Sequence, residues 1–315
     1  MTFESRPLRP QDAGAWADLL AAVAEAEGQH AYRGEAELRE AFTDPHRDYD
    51  LGSVAFFDGA TLVGCGVLDL RNAGDPMHNV RHEGRVHPAY RGRGLGAQVL
   101  DWAEHAAVRL NGERPFTLTS SCSAASKPSA ALHAMRGYLL VRRFHAMLRD
   151  LRLPVAEVPL APGLRMERFA AERSADALLV RNESFLDHWG SSEVSHEAWA
   201  HRMAGESFCP ELSFLVYEGA DPLGLLLSAE HEGRNAAPGA RELYIATVGT
   251  RAAGRKRGIA TALLHRAMSD ARAAGYRSTA LHVDADSLTG AVGLYERAGF
   301  TVHATNAVYA KSLSA

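Results

Sequence analysis

The residues with the clearest chemical content form a short arginine–glycine sequence that occurs twice. Arg91-Gly92-Arg93-Gly94-Leu95-Gly96 and Arg255-Lys256-Arg257-Gly258-Ile259-Ala260 both fit R-x-x-G-x-(G/A). Gly94 and Gly258 stand 164 residues apart, about half of the 315-residue chain. Each copy follows a β-rich stretch and opens an amphipathic helical pattern. Such a loop presents backbone N–H groups at a helix N-terminus, where the helix dipole favours negative charge. Its glycines let that backbone come close to a bulky anion. The chemistry expected of each copy is the grip of a phosphate-bearing ligand.

The elements that must position these loops recur in the same order in both halves. Short strands are predicted over Phe3–Leu8 and Leu164–Phe169, with helical regions starting near Asp12 and Ala171. Hairpin strands follow at Leu51–Phe57 with Thr61–Leu70, and at Leu212–Glu218 with Leu223–Ala229. Asp58-Gly59 and Gly219-Ala220-Asp221-Pro222 supply the turns. A further strand leads into each glycine loop. Beyond it the apolar period becomes helical: Leu95, Val99, Ala103 and Ala106 in the first half, Ile259, Leu263, Ala267 and Ala271 in the second, with Leu264 and Met268 on the same face. Strands at Phe116–Ser120 and Thr279–Val283, a second helix and a terminal pair of strands complete each half. Pro154, Pro159, Pro162 and Gly163 read as a linker, which sets an N-terminal domain at 1–153, a linker at 154–163 and a C-terminal domain at 164–315.

Bulk properties narrow the function. A net charge of −4 argues against a general nucleic-acid binder. No apolar run approaches the length needed to cross a bilayer, and Met1–Pro10 lacks a signal-peptide layout. Cys65, Cys122 and Cys209 are far apart, which suits a reducing cytoplasm rather than a disulfide scaffold. The fifteen histidines include no H-E-x-x-H, so no metal is expected. There is no G-x-x-x-x-G-K-(S/T), and the G-x-G-x-G spacing of Gly92, Gly94 and Gly96 is not the dinucleotide fingerprint.

Strand, R-x-x-G-x-(G/A), helix, strand, and a helix ending in Leu294-Tyr295-Glu296-Arg297-Ala298-Gly299-Phe300 together resemble the GNAT acyltransferase superfamily, in its tandem N-acetyltransferase form. The likeness is strongest over Leu243–Phe300 and weaker over Val86–Tyr138. Phe185-Leu186-Asp187-His188 and Val283-Asp284-Ala285-Asp286 are also similar to two-domain members. The resemblance implies an α/β fold of two tandem GNAT domains, each a mixed, mostly antiparallel sheet flanked by helices. It implies acetyl-coenzyme A as donor, without a metal, and a small-molecule amine as acceptor. The chain is expected to act as a monomer or homodimer.

The resemblance also implies the donor site. In the first domain this is Val86, Arg91, Gly92, Arg93, Gly94, Leu95 and Gly96; in the second it is Thr247, Val248, Gly249, Thr250, Arg255, Lys256, Arg257, Gly258, Ile259 and Ala260. The loop N–H groups would hold the pyrophosphate. Tyr244–Thr250 would splay from Thr279–Val283 to admit the pantetheine arm, and an N–H near Thr247 or Val248 would face the thioester oxygen.

Tyr295 would protonate the departing thiolate, with simple packing against the sheet as the alternative. The first domain has His133 at that position, in Leu132-His133-Ala134-Met135-Arg136-Gly137-Tyr138, so it is expected to be a degenerate, non-catalytic partner. Family members carry a glutamate base eleven residues before the loop arginine, where this chain has Tyr244; Glu242 lies two residues earlier on the same strand face and is the candidate base. The matching first-domain residue is Val80, and a histidine base, His78 or His82, stays open there. Asp187, His188, Trp189 and Glu193 form a candidate acceptor cluster, with a capped helix end as the alternative. Cys122 and Cys209 read as small hydrophobes. The leading expectation is N-acetylation of a small amine by direct transfer in a ternary complex. Non-catalytic coenzyme A binding, or transfer of another acyl group, is the alternative.

Overall fold

The computed structural model describes residues 3–29, 33–44, 47–70, 79–111, 115–186, 188–231, 241–287 and 290–314. His78 and Asp187, both candidates from the sequence, lie outside the described residues. The chain divides into two compact units, Met1–His145 with Ala304–Ala315, and Ala146–His303. This division differs from the linear split expected at the proline-rich linker, because the end of the chain returns to the first unit.

The first unit runs β1 (Glu4–Arg6), α1 (Ala13–Ala26), α2 (Glu35–Glu40), α3 (Tyr49–Gly52), β2 (Ser53–Asp58), β3 (Thr61–Asp69), β4 (Asn79–Val86), α4 (Leu95–Asn111), β5 (Phe116–Ser123), α5 (Lys127–Met135) and the start of β6 (Leu139–Asp150). The second runs from the end of β6 through β7 (Leu164–Arg168), α6 (Ser174–Ser184), α7 (His196–Ala204), β8 (Phe214–Glu218), β9 (Asp221–Glu230), β10 (Glu242–Thr250), α8 (Ile259–Ala273), β11 (Ser278–Asp284) and α9 (Ala291–Arg297) to the start of β12 (Thr301–Leu313). The strand order is β1-β2-β3-β4-β5-β12-β6 in the first unit and β12-β6-β11-β10-β9-β8-β7 in the second. The sheets are mixed and mostly antiparallel. β4 pairs parallel with β5, and β10 with β11.

Each half was expected to end in a pair of strands. Each instead ends in one long strand after its second helix, β6 or β12. Neither Leu139–Asp150 nor Thr301–Leu313 contains a Gly or Pro, the strongest breaks to a strand. Residues 306–313 of β12 pair antiparallel with β5, from Asn306↔Ser123 to Leu313↔Phe116.

The helices after the two loops carry the cores. In α8, Ile259, Leu263, Leu264, Ala267, Met268 and Ala271 are all buried, which is the stripe that the four-residue period marks out. In α4, Leu95, Val99, Ala103 and Ala106 are buried likewise. Each fully buried Leu or Ile contributes about 1.5–3 kcal/mol by leaving water. Both helices start close to their sheet. A Cβ on Gly64 of β3 would lie 3.0 Å from Leu95 Cδ2, and one on Gly224 of β9 would overlap Ile259 Cγ2. A glycine under the first helical residue therefore seats each helix N-terminus, in the same way in both units.

Candidate active site

The two loops are built alike. Gly94 (φ 80°) and Gly258 (φ 76°) are both left-handed and immediately precede the helix. Two residues earlier, Gly92 has φ 76° and Lys256 has φ 61°. Lys256 thus holds a conformation that costs a side-chain-bearing residue strain. Arg91 Nε donates to Val86 O and Arg255 Nε to Thr250 O, each at 3.4 Å, tying each loop arginine to the end of the preceding strand. The helical ladder starts with Gln98 N to Gly94 O (3.2 Å) and Ala262 N to Gly258 O (3.0 Å). The N–H groups of Gly94–Ala97 and of Gly258–Thr261 therefore have no partner earlier in their helices. α8 has no side-chain N-cap. A Cβ on Gly92, Gly94 or Gly258 would meet nothing within 4 Å. Open space above a row of helix-terminal N–H groups fits a diphosphate.

Several loop arginines contact the protein surface around them. Arg257 makes a two-pronged contact with Glu218 at 3.0 and 2.7 Å. Arg93 donates to Ala89 O at 3.1 Å and lies over the Tyr90 ring. Arg91 pairs with Glu27 at 2.7 Å.

Ahead of each loop the parallel strands part. β10 pairs with β11 from Glu242↔Ser278 only as far as Ile245↔Leu281, although β10 runs on to Thr250 and β11 to Asp284. β4 and β5 likewise pair only from Asn79↔Thr117 to His82↔Ser120. A register shift against β9 between Ile245 and Thr247 puts a bulge at Ala246. It reverses the alternation of faces. Leu243, Ile245 and Val248 join the core beneath α8. Thr247 instead comes to the face of Glu242 and Tyr244, where Arg202 Nη2 of α7 donates to its Oγ1 at 3.2 Å. Gly249 meets the end of α6 on this face; a Cβ there would lie 2.9 Å from Ser184 Cβ.

Tyr295 projects from α9 into the second core, 8% exposed, with its ring edge-on to Phe300 at 5.9 Å. Burial pushes its phenol up to about 12, so it stays protonated at neutral pH and can donate. His133, at the matching place, is tied at both nitrogens, Nδ1 to Ser129 O (2.8 Å) and Nε2 to Ser120 Oγ (3.0 Å). It also stacks on Tyr309 at 4.7 Å. Ser120 Oγ lies 3.1 Å from His82 Nδ1, and burial pushes His82 down to about 3. These two histidines are thus held in a buried neutral network.

Glu242 is 4% exposed, and its Oε2 accepts from Ser278 Oγ at 3.1 Å, at the paired start of β10. It is Tyr244, not Glu242, that reaches toward the opening, with its hydroxyl 3.0 Å from His282 Nδ1. The linear pattern has no signal for this pair, because it joins residues 38 apart across two strands. A cavity of about 170 Å³ adjoins it, lined by Arg202, Ser207, Phe208, His231, Tyr244 and Ala246 together with β9 residues. None of His188, Trp189 and Glu193 lines this cavity. His188 Nδ1 instead lies 3.1 Å from Trp189 O, and Glu193 is exposed. Burial pushes the Cys65 and Cys209 thiols up to about 12 and Cys122 up to about 11, which keeps them protonated. Among the described residues there is no cluster of His, Cys, Asp or Glu that could hold a metal, and no helix long and apolar enough to cross a membrane.

A parting strand, a main-chain cradle and a helix seated on glycine, built twice, define the class: a duplicated acyltransferase fold. Known proteins specify it further. The model of the acetyltransferase (GNAT) family matches residues 16–138 and 176–300. The mycothiol acetyltransferase of Thermobispora bispora is 30% identical over 303 residues, covering 95% of this chain and 96% of its own. That of Streptomyces avermitilis is 30% identical over 306 residues, covering 96% and 92%. A GCN5-related N-acetyltransferase from Sphaerobacter thermophilus superposes with a TM-score of 0.79 at 26% identity, covering 99% of this chain and 96% of its own. A tandem GNAT protein of the clavulanic acid biosynthesis pathway superposes at 0.74 with 17% identity, covering 99% and 98%, a likeness of fold. The chain belongs to the GNAT acetyltransferase family and is a tandem member of it.

Proposed function

We propose that the chain is an acetyl-coenzyme A-dependent N-acetyltransferase that passes acetyl directly to a small amine in a ternary complex, with the chemistry in the second unit. The observation that carries this reading is the parting of β10 from β11 after Ile245↔Leu281, just ahead of the α8 cradle. A donor arm fits the gap while its diphosphate lies over Gly258–Ala260. The N–H of Thr247 or Val248 then stabilises the oxyanion. On this reading Tyr295 supplies the proton that the leaving thiolate needs, and burial keeps its phenol in the protonated form. Glu242 is the carboxylate on the acceptor face of β10.

The first unit keeps a cradle for coenzyme A but is non-catalytic on this reading. His133 is already bonded at both ring nitrogens, and Val80 stands where the second unit has Tyr244. The near full-length likeness to enzymes called mycothiol acetyltransferase makes the free-amine form of mycothiol the first acceptor to test. The cytoplasm, where coenzyme A esters are made and thiols stay reduced, suits the chain.

The test is a mass-spectrometric assay of the full chain with acetyl-coenzyme A and a panel of amines headed by that compound. Acetylated amine and free coenzyme A are expected in equal amounts. Acetyl-coenzyme A binding without product from any amine would defeat the enzyme reading, and turnover only with a longer acyl donor would correct the acyl group.

A further inference from the structure

Tyr244 on the cavity wall and His282 beside it form a titratable pair to which the acetyl-transfer reading gives no role. The Tyr244 hydroxyl lies 3.0 Å from His282 Nδ1. Tyr244 lines the cavity, and its ring packs at 5.2 Å against His231, another lining residue. His282 directly follows Leu281, the last β11 residue paired with β10, so it stands where the strands begin to part. A phenol–imidazole pair thus runs from the cavity to the opening. The corresponding first-unit residues are Val80 and Ser120, neither of which is a base at neutral pH. The unit with the tyrosine proton donor is also the unit with this pair.

We propose that Tyr244 and His282 form the proton exit for the acceptor amine, which enters through the cavity as an ammonium. The proposal rests on the acetyl-transfer reading and assigns its first proton step. One N–H bond of the ammonium breaks and its proton bonds to the Tyr244 oxygen, while the proton already on that oxygen passes to His282 Nδ1. The phenol is restored, the imidazole becomes an imidazolium, and the amine keeps the electron pair that attacks the thioester carbonyl. His282 returns the proton to water after transfer. The step needs neutral His282 to carry its hydrogen on Nε2, with Nδ1 accepting from Tyr244.

The surrounding charges bear on this transfer. Glu242 shares the Tyr244 face of β10 and Asp284 lies two residues beyond His282 on β11, both 4% exposed. Carboxylates there favour the imidazolium, whereas Arg202 and His231 line the same cavity as Tyr244. On this account Glu242 is a charge partner and not the first proton acceptor.

Two measurements test the proposal. The first uses the full chain, acetyl-coenzyme A and the free-amine form of mycothiol as acceptor probe. His282→Gln and Tyr244→Phe are each expected to lower kcat/KM by about 10²–10⁴-fold at neutral pH, with donor affinity held within about twofold. The rate should recover steeply as pH rises toward the pKa of the amine, which then arrives neutral; a packing defect has no such recovery. If Glu242→Gln recovers in this way and His282→Gln does not, the proposal is overturned.

The second measurement needs no acceptor. Nitrogen NMR of the imidazole rings in the full chain, with His282 identified by its loss in His282→Gln, reads the tautomer. An Nε2–H tautomer whose Nδ1 resonance moves in Tyr244→Phe supports the exit. A neutral His282 protonated at Nδ1 overturns it. Absence of turnover with every amine would instead defeat the acetyl-transfer reading on which the proposal rests, an outcome distinct from a wrong tautomer in an active enzyme.

Discussion

Replacing Gly224 with alanine tests the glycine seat beneath α8. The added methyl would overlap Ile259 Cγ2 and come within 3.3 Å of Leu263 Cδ1 and 3.5 Å of Val216 Cβ. Gly224 has no left-handed backbone, so alanine itself is unstrained there. An unopposed Gly→Ala change would stabilise by about 0.4–1 kcal/mol through the unfolded chain. The clash outweighs it. Ile259 and Leu263 are 1% and 0% exposed, so neither has free volume to move into. Overpacking of this kind costs about 1–3 kcal/mol. At about 2–4 °C per kcal/mol, the second unit should melt about 2–12 °C lower.

Because Ile259 directly follows Gly258, the displacement also disturbs the N–H row. A loss of about 1.4 kcal/mol in donor binding would raise the acetyl-coenzyme A Kd about tenfold. Urea unfolding and calorimetric titration of Gly224→Ala, Ile259→Ala and the double variant give the decisive cycle. Ile259→Ala alone should cost about 2–5 kcal/mol. The double variant should cost less than the sum by about 0.5–3 kcal/mol, since the new methyl fills the space left by Cγ2. Additive effects, or a Gly224→Ala variant as stable as the parent, would refute the seat.

Tyr295→Phe should lower turnover by about 10²–10⁴-fold with little change in donor affinity; unchanged turnover would remove Tyr295 from the reaction. With its phenol pushed up to about 12, Tyr295 should produce no loss of activity through ionisation in moderately alkaline buffer, which a pH–rate profile checks. Gly258→Glu sets bulk and negative charge over the α8 cradle and imposes a side chain at φ 76°, so calorimetry should show the second-unit donor site lost. The buried His82 predicts acid sensitivity of the first unit. Its pKa falls from an ordinary 6.5 to about 3 on folding, so the unfolded chain binds the proton more readily and stability drops as pH falls through that window. His82→Gln should flatten the drop in urea midpoints, and an unchanged slope would clear His82 of the effect.

Much of the fold could be read along the chain because its signals are local. The two arginine–glycine loops, the four-residue stripe of Ile259, Leu263, Ala267 and Ala271, and the Asp58-Gly59 turn each act over a few residues. Their repetition at matching positions in the two halves made the duplicated architecture legible without any contact information. The same locality explains the misreading of the terminal strands, where β6 and β12, which contain neither Gly nor Pro, each continue unbroken.

The candidate site was legible only where it is made of main chain. Gly94 and Gly258 are left-handed immediately before their helices, a local conformation that residue type and the R-x-x-G-x-(G/A) pattern already suggest. The side-chain part depends on which strands lie side by side and on which face each residue ends. The bulge at Ala246 moves Thr247 to the face of Tyr244, against the two-residue alternation that a strand otherwise keeps. Arg202 then reaches Thr247 from a helix 45 residues earlier, and Tyr244 meets His282 38 residues later. Residue order thus determined the duplication, the helix-terminal cradles and the tyrosine of α9. Strand pairing and one extra residue in β10, which no local pattern encodes, decided which polar groups share the Tyr244 face of that strand.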